Sequence, residues 1–312
     1  MTSIDRLAVG LAALGRPAYI NVGRVGDLPA ERTVAQLRAA SWAVLDAAYA
    51  AGVRRVDVAR SYGRAEEFLA GWLAARGHAD ITVSSKWGYA YVGGWRLDAP
   101  VHEVKEHSLA RFRTQLAESR ALLGDRIALY QVHSLTQDSP LFDQPDLIEA
   151  LAELAADGVR VGFSTSGPAQ ADAVRRGLAL KVAGQPVFTA VQATWNPLEQ
   201  SVAPALAEAH DAGALVLVKE PVANGTLVVA PPPVVAELAE RHGTGADAVV
   251  LAAALAQPWA DVILLGSASV GQLIDNLAAT NVRFGPGELE MLLTVRQSPE
   301  QYWANRSALP WT

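Results

Sequence analysis

Short apolar runs alternate with amphipathic segments eight times along 312 residues, and this alternation predicts an α/β fold: a closed (β/α)8 barrel. Two further observations support it. The connections are turn-sized, which suits parallel strands covered by helices. No linker or shift of composition divides the chain, so one barrel domain over residues 1–312 is expected. The rival is an open doubly wound sheet, whose dinucleotide-binding turn would read G-x-G-x-x-G between the first strand and helix. The early glycines Gly10, Gly15, Gly23 and Gly26 miss that spacing.

The first apolar run, residues 7–15, reads as a first strand or turn. Its brevity, the acidic Asp5 before it and Arg16 closing it set it apart from a secretion signal. Residues 34–51 place Leu37, Trp42, Leu45, Ala48 and Tyr49 at helix-like intervals, and Gly52 ends that helix. The second strand is VRRVDVAR, residues 53–60; a helix over 66–76 stops at Gly77, and the third strand is ITVSSK, residues 81–86. A long loop, 87–100, and a helix from about 101 to 123 lead to the fourth strand, IALYQVH, residues 127–133. A helix over 146–157, a strand over 159–165, a helix over 169–177 and a strand over 189–194 follow. A helix over 202–211 and the seventh strand, 214–219, come next. The prolines at 231–233 read as a helix entry, helical segments lie within 234–256, and the eighth strand, 262–265, precedes a helix over 270–279.

The bulk properties exclude several functions. A formal net charge of -6 without an extended Lys/Arg block argues against a nucleic-acid surface, which rests on many phosphate contacts. The absence of cysteine removes disulfides, thiolate nucleophiles and cysteine-ligated metals. The longest apolar window, residues 248–256, is far short of the roughly 20 residues that span a membrane. A cytoplasmic protein without a membrane partner is expected. No metal site is expected either: His102 and His107 are five apart, Asp98 and Glu103 are scattered near them, and H-E-x-x-H is missing.

Asp57, Lys86 and His133 lie at or near the ends of three predicted strands, with Tyr62 five places after Asp57. A barrel gathers its strand ends at one mouth, where such folds place their chemistry. A tyrosine hydroxyl has a pKa of about 10 and is a poor acid near neutrality unless its phenolate is stabilised. A lysine ammonium can do that, and a carboxylate can orient the lysine. A histidine can hydrogen-bond an oxygen that gains negative charge. Taken singly, Tyr62 and Lys86 would pack or snorkel, Asp57 would cap a turn, and His133 would be structural. Together they suit proton transfer to a carbonyl oxygen. None can carry a hydride, so a reductase needs an organic cofactor. Ser164, Thr165 and Gln192, at later strand ends, offer partners for a carboxamide, and Gly266, Ser267, Ala268 and Ser269 lead into a helix whose N-terminus could receive phosphate or serve as an ordinary serine cap. The aromatic, glycine-rich stretch from Trp87 through Tyr89 to Trp95 could wall an apolar pocket or cover the rim.

These motifs together resemble the aldo-keto reductase family over essentially the whole chain. VDVARSYG (56–63) resembles its D-T-A-x-x-Y-G motif, SSKWG (84–88) the lysine motif and YQVHS (130–134) the histidine motif. The resemblance implies a (β/α)8 enzyme with Asp57, Tyr62, Lys86 and His133 as the catalytic tetrad. It would reduce aldehydes or ketones, or run the reverse oxidation. NADP(H) is the favoured cofactor and NAD(H) the alternative. VGFSTS and VQATWNPLEQ resemble the family's carboxamide-binding segments and assign Ser164, Thr165 and Gln192 to the nicotinamide. Lys219 stands where many members stack an aromatic residue on the nicotinamide. In LLGSASVGQLIDNLAAT (264–280), Gly266, Ser267, Ser269, Gln272, Asp275 and Asn276 align with the phosphate and adenosine segment. Gly266 and Gln272 replace the lysine and arginine of many NADP-specific members. Each lost charge-assisted bond to a 2′-phosphate is worth about 1.5–3 kcal/mol.

Trp87, Tyr89, Trp95 and Trp195 are the expected substrate-pocket residues, for an apolar or sugar-like carbonyl compound. Arg60 could favour anionic substrates or form a surface ion pair. Two other classes stay open: a non-catalytic nucleotide-binding regulatory barrel, and a barrel hydrolase or isomerase that needs no nicotinamide.

Overall fold

In the computed structural model, which describes residues 2–23 and 26–312, each of the eight apolar runs forms a strand of one closed parallel barrel. The strands are β1 (Leu7–Gly10), β2 (Arg55–Asp57), β3 (Thr82–Trp87) and β4 (Ile127–Leu135). They continue as β5 (Arg160–Thr165), β6 (Ala190–Thr194), β7 (Leu215–Lys219) and β8 (Val262–Leu265). Each pairs with its neighbours in sequence, and β1 pairs with both β2 and β8 to close the ring. The first predicted strand is shorter than its apolar run, because the chain turns after Gly10 and Leu14 N–H bonds back to Leu11 O.

Side chains alternate between the barrel interior and the helical layer. Ala8, Leu129, Ala190, Leu217, Val262 and Leu264 form an interior apolar cluster separate from the main core. Further along the same alternation come Asp57, Ser84, Lys86, Gln131, His133, Gln192 and Lys219, which make a polar layer towards the C-terminal strand ends. The intervening positions face helices such as Val34–Ala50, Ala65–Arg76 and Leu109–Leu123.

The predicted helix over 101–123 starts only at Leu109, where Ser108 Oγ accepts from Arg111 N–H at 3.1 Å. Before it, Glu103–Lys105 pairs antiparallel with Tyr89–Tyr91, so the supposed loop 87–100 holds the end of β3 and one arm of a hairpin. The proline entry holds: the helix Pro233–Arg241 has proline in its first turn, and a second helix, Ala246–Leu255, completes the segment. The alternation does not call for the C-terminal helices Glu288–Leu292 and Pro299–Ser307, yet the latter brings Arg306 to the barrel mouth. Among the described residues no helix is long and apolar enough to cross a membrane.

Candidate active site

Asp57 and Lys86 are inward residues of adjacent strands, and both are buried, Lys86 to 1% exposure. Lys86 Nζ pairs with Asp57 Oδ2 and donates to Val58 O at 3.1 Å. Asp57 Oδ1 accepts from Ser84 Oγ at 2.7 Å, from Gln192 Nε2 at 3.3 Å and from Gln131 Nε2 at 3.4 Å. A buried ion pair persists only where such bonds satisfy its remaining valences.

The chain leaves β2 in a turn that places Tyr62 over this pair, with Tyr62 N–H bonded to Ala59 O at 3.0 Å. The Lys86 ammonium lies 5.0 Å from the centroid of the Tyr62 ring, and the His133 ring meets that ring edge-on at 5.5 Å. Burial, reinforced by the Asp57 charge, holds the Tyr62 hydroxyl well above its ordinary pKa of 10, against a smaller opposing pull from Arg16. Lys86 is engaged by Asp57, so the resting site keeps Tyr62 as a proton-bearing acid.

Burial, and then the charges of Lys86, Arg16 and Lys219, push His133 well below 6.5, which leaves a neutral imidazole near pH 7. Its Nδ1 faces Ser61 Oγ at 3.4 Å. His107 braces the strand end: its Nε2–H donates to His133 O at 2.9 Å, and its Nδ1 meets Ser139 Oγ at 2.7 Å. We assign that tautomer because a carbonyl only accepts. Burial lowers His107 to about 4. The braced segment is irregular, with Ser134 at φ 56° and a register shift between Val132 and Leu135.

A cavity beside Tyr62 is lined by Gly10, Tyr19, Asp57, Gln192, Lys219 and Glu220, among others. It continues into a second cavity that reaches Asp247, Ser267, Gln272 and Asn276; the two share Asn21, Pro221, Val222, Leu264, Leu265 and Gly266. The result is one elongated groove across the mouth. Its roof is tied by Val22 N–H to Asn224 O at 2.9 Å and Asn224 Nδ2 to Ile20 O at 2.7 Å. Gly225, at φ 89°, is required there, since a Cβ would lie 2.3 Å from Val22 O.

The predicted cofactor residues fall into three groups. Gln192 and Lys219 line the first cavity, Gly266 lines both, and Ser267, Gln272 and Asn276 line the second. Ser267 Oγ donates to Asn276 Oδ1 at 3.1 Å, and Asn276 Nδ2 donates to Asp247 at 2.9 Å. Ser269 caps the helix Val270–Leu277 and donates to Asp27 Oδ1 at 3.2 Å, while Gln272 Nε2 donates to Asp27 Oδ2 at 2.6 Å. Ser269, Ser164, Thr165 and Asp275 line neither cavity: Ser164 Oγ accepts from Ser134 N–H at 2.9 Å, Thr165 donates to Gln170 Oε1 at 3.4 Å, and Asp275 is exposed.

Three of the four predicted pocket aromatics lie elsewhere. Trp87 follows the inward Lys86 and therefore faces the helical layer, 5.1 Å from Phe112 between ring centroids. Trp195 follows the inward Thr194 and packs against Trp259 at 5.7 Å. Trp95 lies against Phe68 and ties down Arg32 O through Nε1 at 2.8 Å. Only Tyr89 remains by the tetrad, 5.0 Å from the His133 ring. Arg60 forms ion pairs with Glu66 and Glu118, both at 2.9 Å.

The structure adds residues that motif reading missed. Gln131 joins the Asp57 network, and its signal was available in the inward register of β4. Glu220, at φ 55°, accepts from Arg306 Nε at 2.8 Å and Nη2 at 2.5 Å, and from Lys219 Nζ at 3.4 Å. Lys219 Nζ also donates to Thr194 Oγ1 at 2.6 Å. Arg306 and Lys219 overcome burial and hold Glu220 at about 2, whereas burial outweighs Glu220 and takes Lys219 down to about 8. Arg16, 1% exposed, stands over the Tyr62 ring at 5.4 Å.

Comparison with known proteins identifies the family and the fold. The model of the aldo/keto reductase family matches residues 33–295. The aldo-keto reductase str7 of Strobilurus tenacellus is 26% identical over 94% of this chain and 88% of its own length. The oxidoreductase YqkF of Bacillus subtilis is 27% identical over 85% of this chain and 90% of its own. In fold, the chain is similar to the holo form of aldo-keto reductase AKR11C1 from Bacillus halodurans, with TM-score 0.70 and 21% identity over 96% of this chain and 95% of that one. It is also similar to an aldo-keto reductase from Klebsiella pneumoniae in complex with NADPH, with TM-score 0.68 and 20% identity over 95% and 93% of the two chains. A barrel whose strand ends gather Asp57, Tyr62, Lys86 and His133, matched by the family model over most of its length, belongs to the aldo/keto reductase family.

Proposed function

We propose that this chain is an NAD(P)H-dependent carbonyl reductase that converts an aldehyde or ketone to its alcohol, or runs the reverse oxidation. It would act as one barrel domain in the cytoplasm. The observation that carries the reading is the placement of Tyr62 and the Asp57–Lys86 pair at one end of a groove that runs on to Asn276. An extended dinucleotide fits such a groove, and a Cβ built on Gly266 would meet nothing within 4 Å, which leaves the backbone open to close approach.

The nucleotide, when bound, supplies hydride to the carbonyl carbon. Tyr62 gives its hydroxyl proton to the carbonyl oxygen, and neutral His133 donates a hydrogen bond to the same oxygen. Lys86, fixed by Asp57, faces the phenolate left on Tyr62. In the oxidative direction Tyr62 acts as base. Tyr89 and Tyr19 offer aromatic surface to an apolar or sugar-like carbonyl compound.

NADP(H) is favoured by the resemblance, and the Klebsiella pneumoniae relative carries NADPH. Here, among the described residues, no lysine or arginine lines the second cavity, and Asp27 holds Ser269 and Gln272. Discrimination should be weak: direct titration is expected to find NADPH ahead of NADH by less than about 100-fold, because the charge-assisted bonds that would hold a 2′-phosphate are missing from the cavity lining.

The test is a panel of aldehydes and ketones, sugars included, followed through nicotinamide absorbance beside those titrations. Turnover on at least one compound is expected. Nucleotide binding without turnover on any compound would favour the regulatory barrel, and no nucleotide binding would favour a hydrolase or isomerase.

A further inference from the structure

Arg16 is the second cation beside Tyr62, and nothing in the tetrad accounts for it. Its guanidinium is buried under three rings, 5.4 Å from Tyr62, 5.0 Å from Tyr19 and 4.9 Å from Trp311. Nη1 donates to Ser61 O at 3.0 Å, in the turn that carries Tyr62. The same Nη1 lies 2.9 Å from Glu103 Oε1, a charge contact without hydrogen-bond alignment, and Nε has no hydrogen-bond partner. The two segments are packed backbone to backbone. Arg64 N–H bonds to Gly15 O at 2.7 Å, and Gly63, at φ 58°, admits no Cβ because one would lie 2.5 Å from Gly15 O.

Burying a guanidinium that leaves a donor unpaired is costly, and a surface arginine could tie the same turn more cheaply. What this placement adds is positive charge facing a tyrosine ring in a low-dielectric site. Lys86 is less available for that, since its ammonium is already engaged by Asp57 and Val58 O.

We propose that Arg16 is a positioning residue for Tyr62: it fixes the turn that carries the ring and faces the phenolate formed on proton donation, with Glu103 as its opposing charge. The proposal rests on the carbonyl-reductase reading for its catalytic consequence. The other charged or titratable groups around Tyr62 are Asp57 from β2, Lys86 from β3, His133 from β4, Tyr19 after β1 and Glu220 after β7. Arg16 pulls Tyr62 down while Glu103, like Asp57 and Glu220, pushes it up, so the Arg16–Glu103 pair predicts effects of opposite sign.

The experiment uses the full chain with difluorotyrosine, which ionises at lower pH than tyrosine, at position 62. Fluorine NMR follows its ionisation in the Arg16→Gln, Arg16→Lys and Glu103→Gln backgrounds. In parallel, the pH profile of kcat/KM for carbonyl reduction is measured with the natural Tyr62. Arg16→Gln should move the ionisation and the alkaline limb to higher pH, Glu103→Gln should move both to lower pH, and Arg16→Lys should stay near the parent. At neutral pH, Arg16→Gln should lose on the order of tenfold in kcat/KM, with Arg16→Lys recovering to within about threefold. If Arg16→Gln and Glu103→Gln shift the ionisation in the same direction, or if neither shifts it, the proposal fails. Should Arg16→Gln not fold, Glu103→Gln decides alone, and an unmoved ionisation overturns the proposal. Absence of turnover in the parent protein would sink the reductase reading, while the NMR titration would still read Arg16.

Discussion

Two buried charge clusters face the same cavity and are built in opposite ways. The inner one, Asp57 with Lys86, comes from inward positions of adjacent strands and is satisfied by Ser84, Gln131 and Gln192 within the barrel. The outer one joins Lys219 and Glu220, at the end of β7, to Arg306 on the C-terminal helix, 86 residues on from Glu220. The inner pair is fixed by register and lies under the Tyr62 ring. The outer cluster needs a left-handed Glu220 and a helix folded over the mouth, so it ties the rim together. We read the first as machinery and the second as a clamp, and this division can be broken by experiment.

The largest effect should come from Asp57→Asn, which leaves Lys86 buried without its anion. Turnover should fall by at least about 10³-fold, and chemical denaturation should show a loss of about 3–5 kcal/mol. Arg306→Gln should cost a comparable share of stability, about 2–4 kcal/mol, because among the described residues the Glu220 carboxylate keeps only Lys219 and Thr194. Its kcat should drop by less than about tenfold. A loss of turnover as deep as that of Asp57→Asn would erase the distinction between machinery and clamp.

Acid sharpens the same contrast. Glu220 is held at about 2 in the folded chain against an ordinary 4.5, so its contribution is fully present above pH 4.5 and is lost as pH falls towards 2. That difference corresponds to about 3 kcal/mol. His107, held neutral with a value of about 4 against 6.5, adds a loss of the same sign that begins as pH falls below 6.5. Denaturant midpoints measured from pH 7 to pH 3 should fall steadily, and Glu220→Gln should flatten the lower part of the curve. The smallest effect is expected for Trp195→Phe. With its ring against Trp259 and away from the cavity, the change should alter KM by less than about twofold.

The barrel was legible in the sequence because its signal is local: eight apolar runs, each closed by a turn and followed by a helix. The tetrad was legible because two of its members share one short motif and the others end neighbouring strands. The aromatic pocket is not legible from a loop that starts at Trp87 and a strand that stops at Thr194, because strand parity continues through Trp87 and Trp195. Lys86 and Thr194 point inward, so the residue after each must face the helices. The hairpin before Ser108 leaves little trace in the sequence because its second arm, Glu103–Lys105, runs directly into the cap of the helix that follows. Arg16, Glu220 and Arg306 left no comparable trace. Each acts through partners distant in sequence, and a lone arginine or glutamate in a turn or helix carries no local sign of them.

The most direct test of the account is Tyr62→Phe, which removes one oxygen and keeps the ring that packs against His133 and Arg16. Steady-state turnover of the best carbonyl substrate should vanish, while NADPH and NADH titrations should match the parent. Parental turnover in purified Tyr62→Phe would contradict the assignment of Tyr62 as the proton donor.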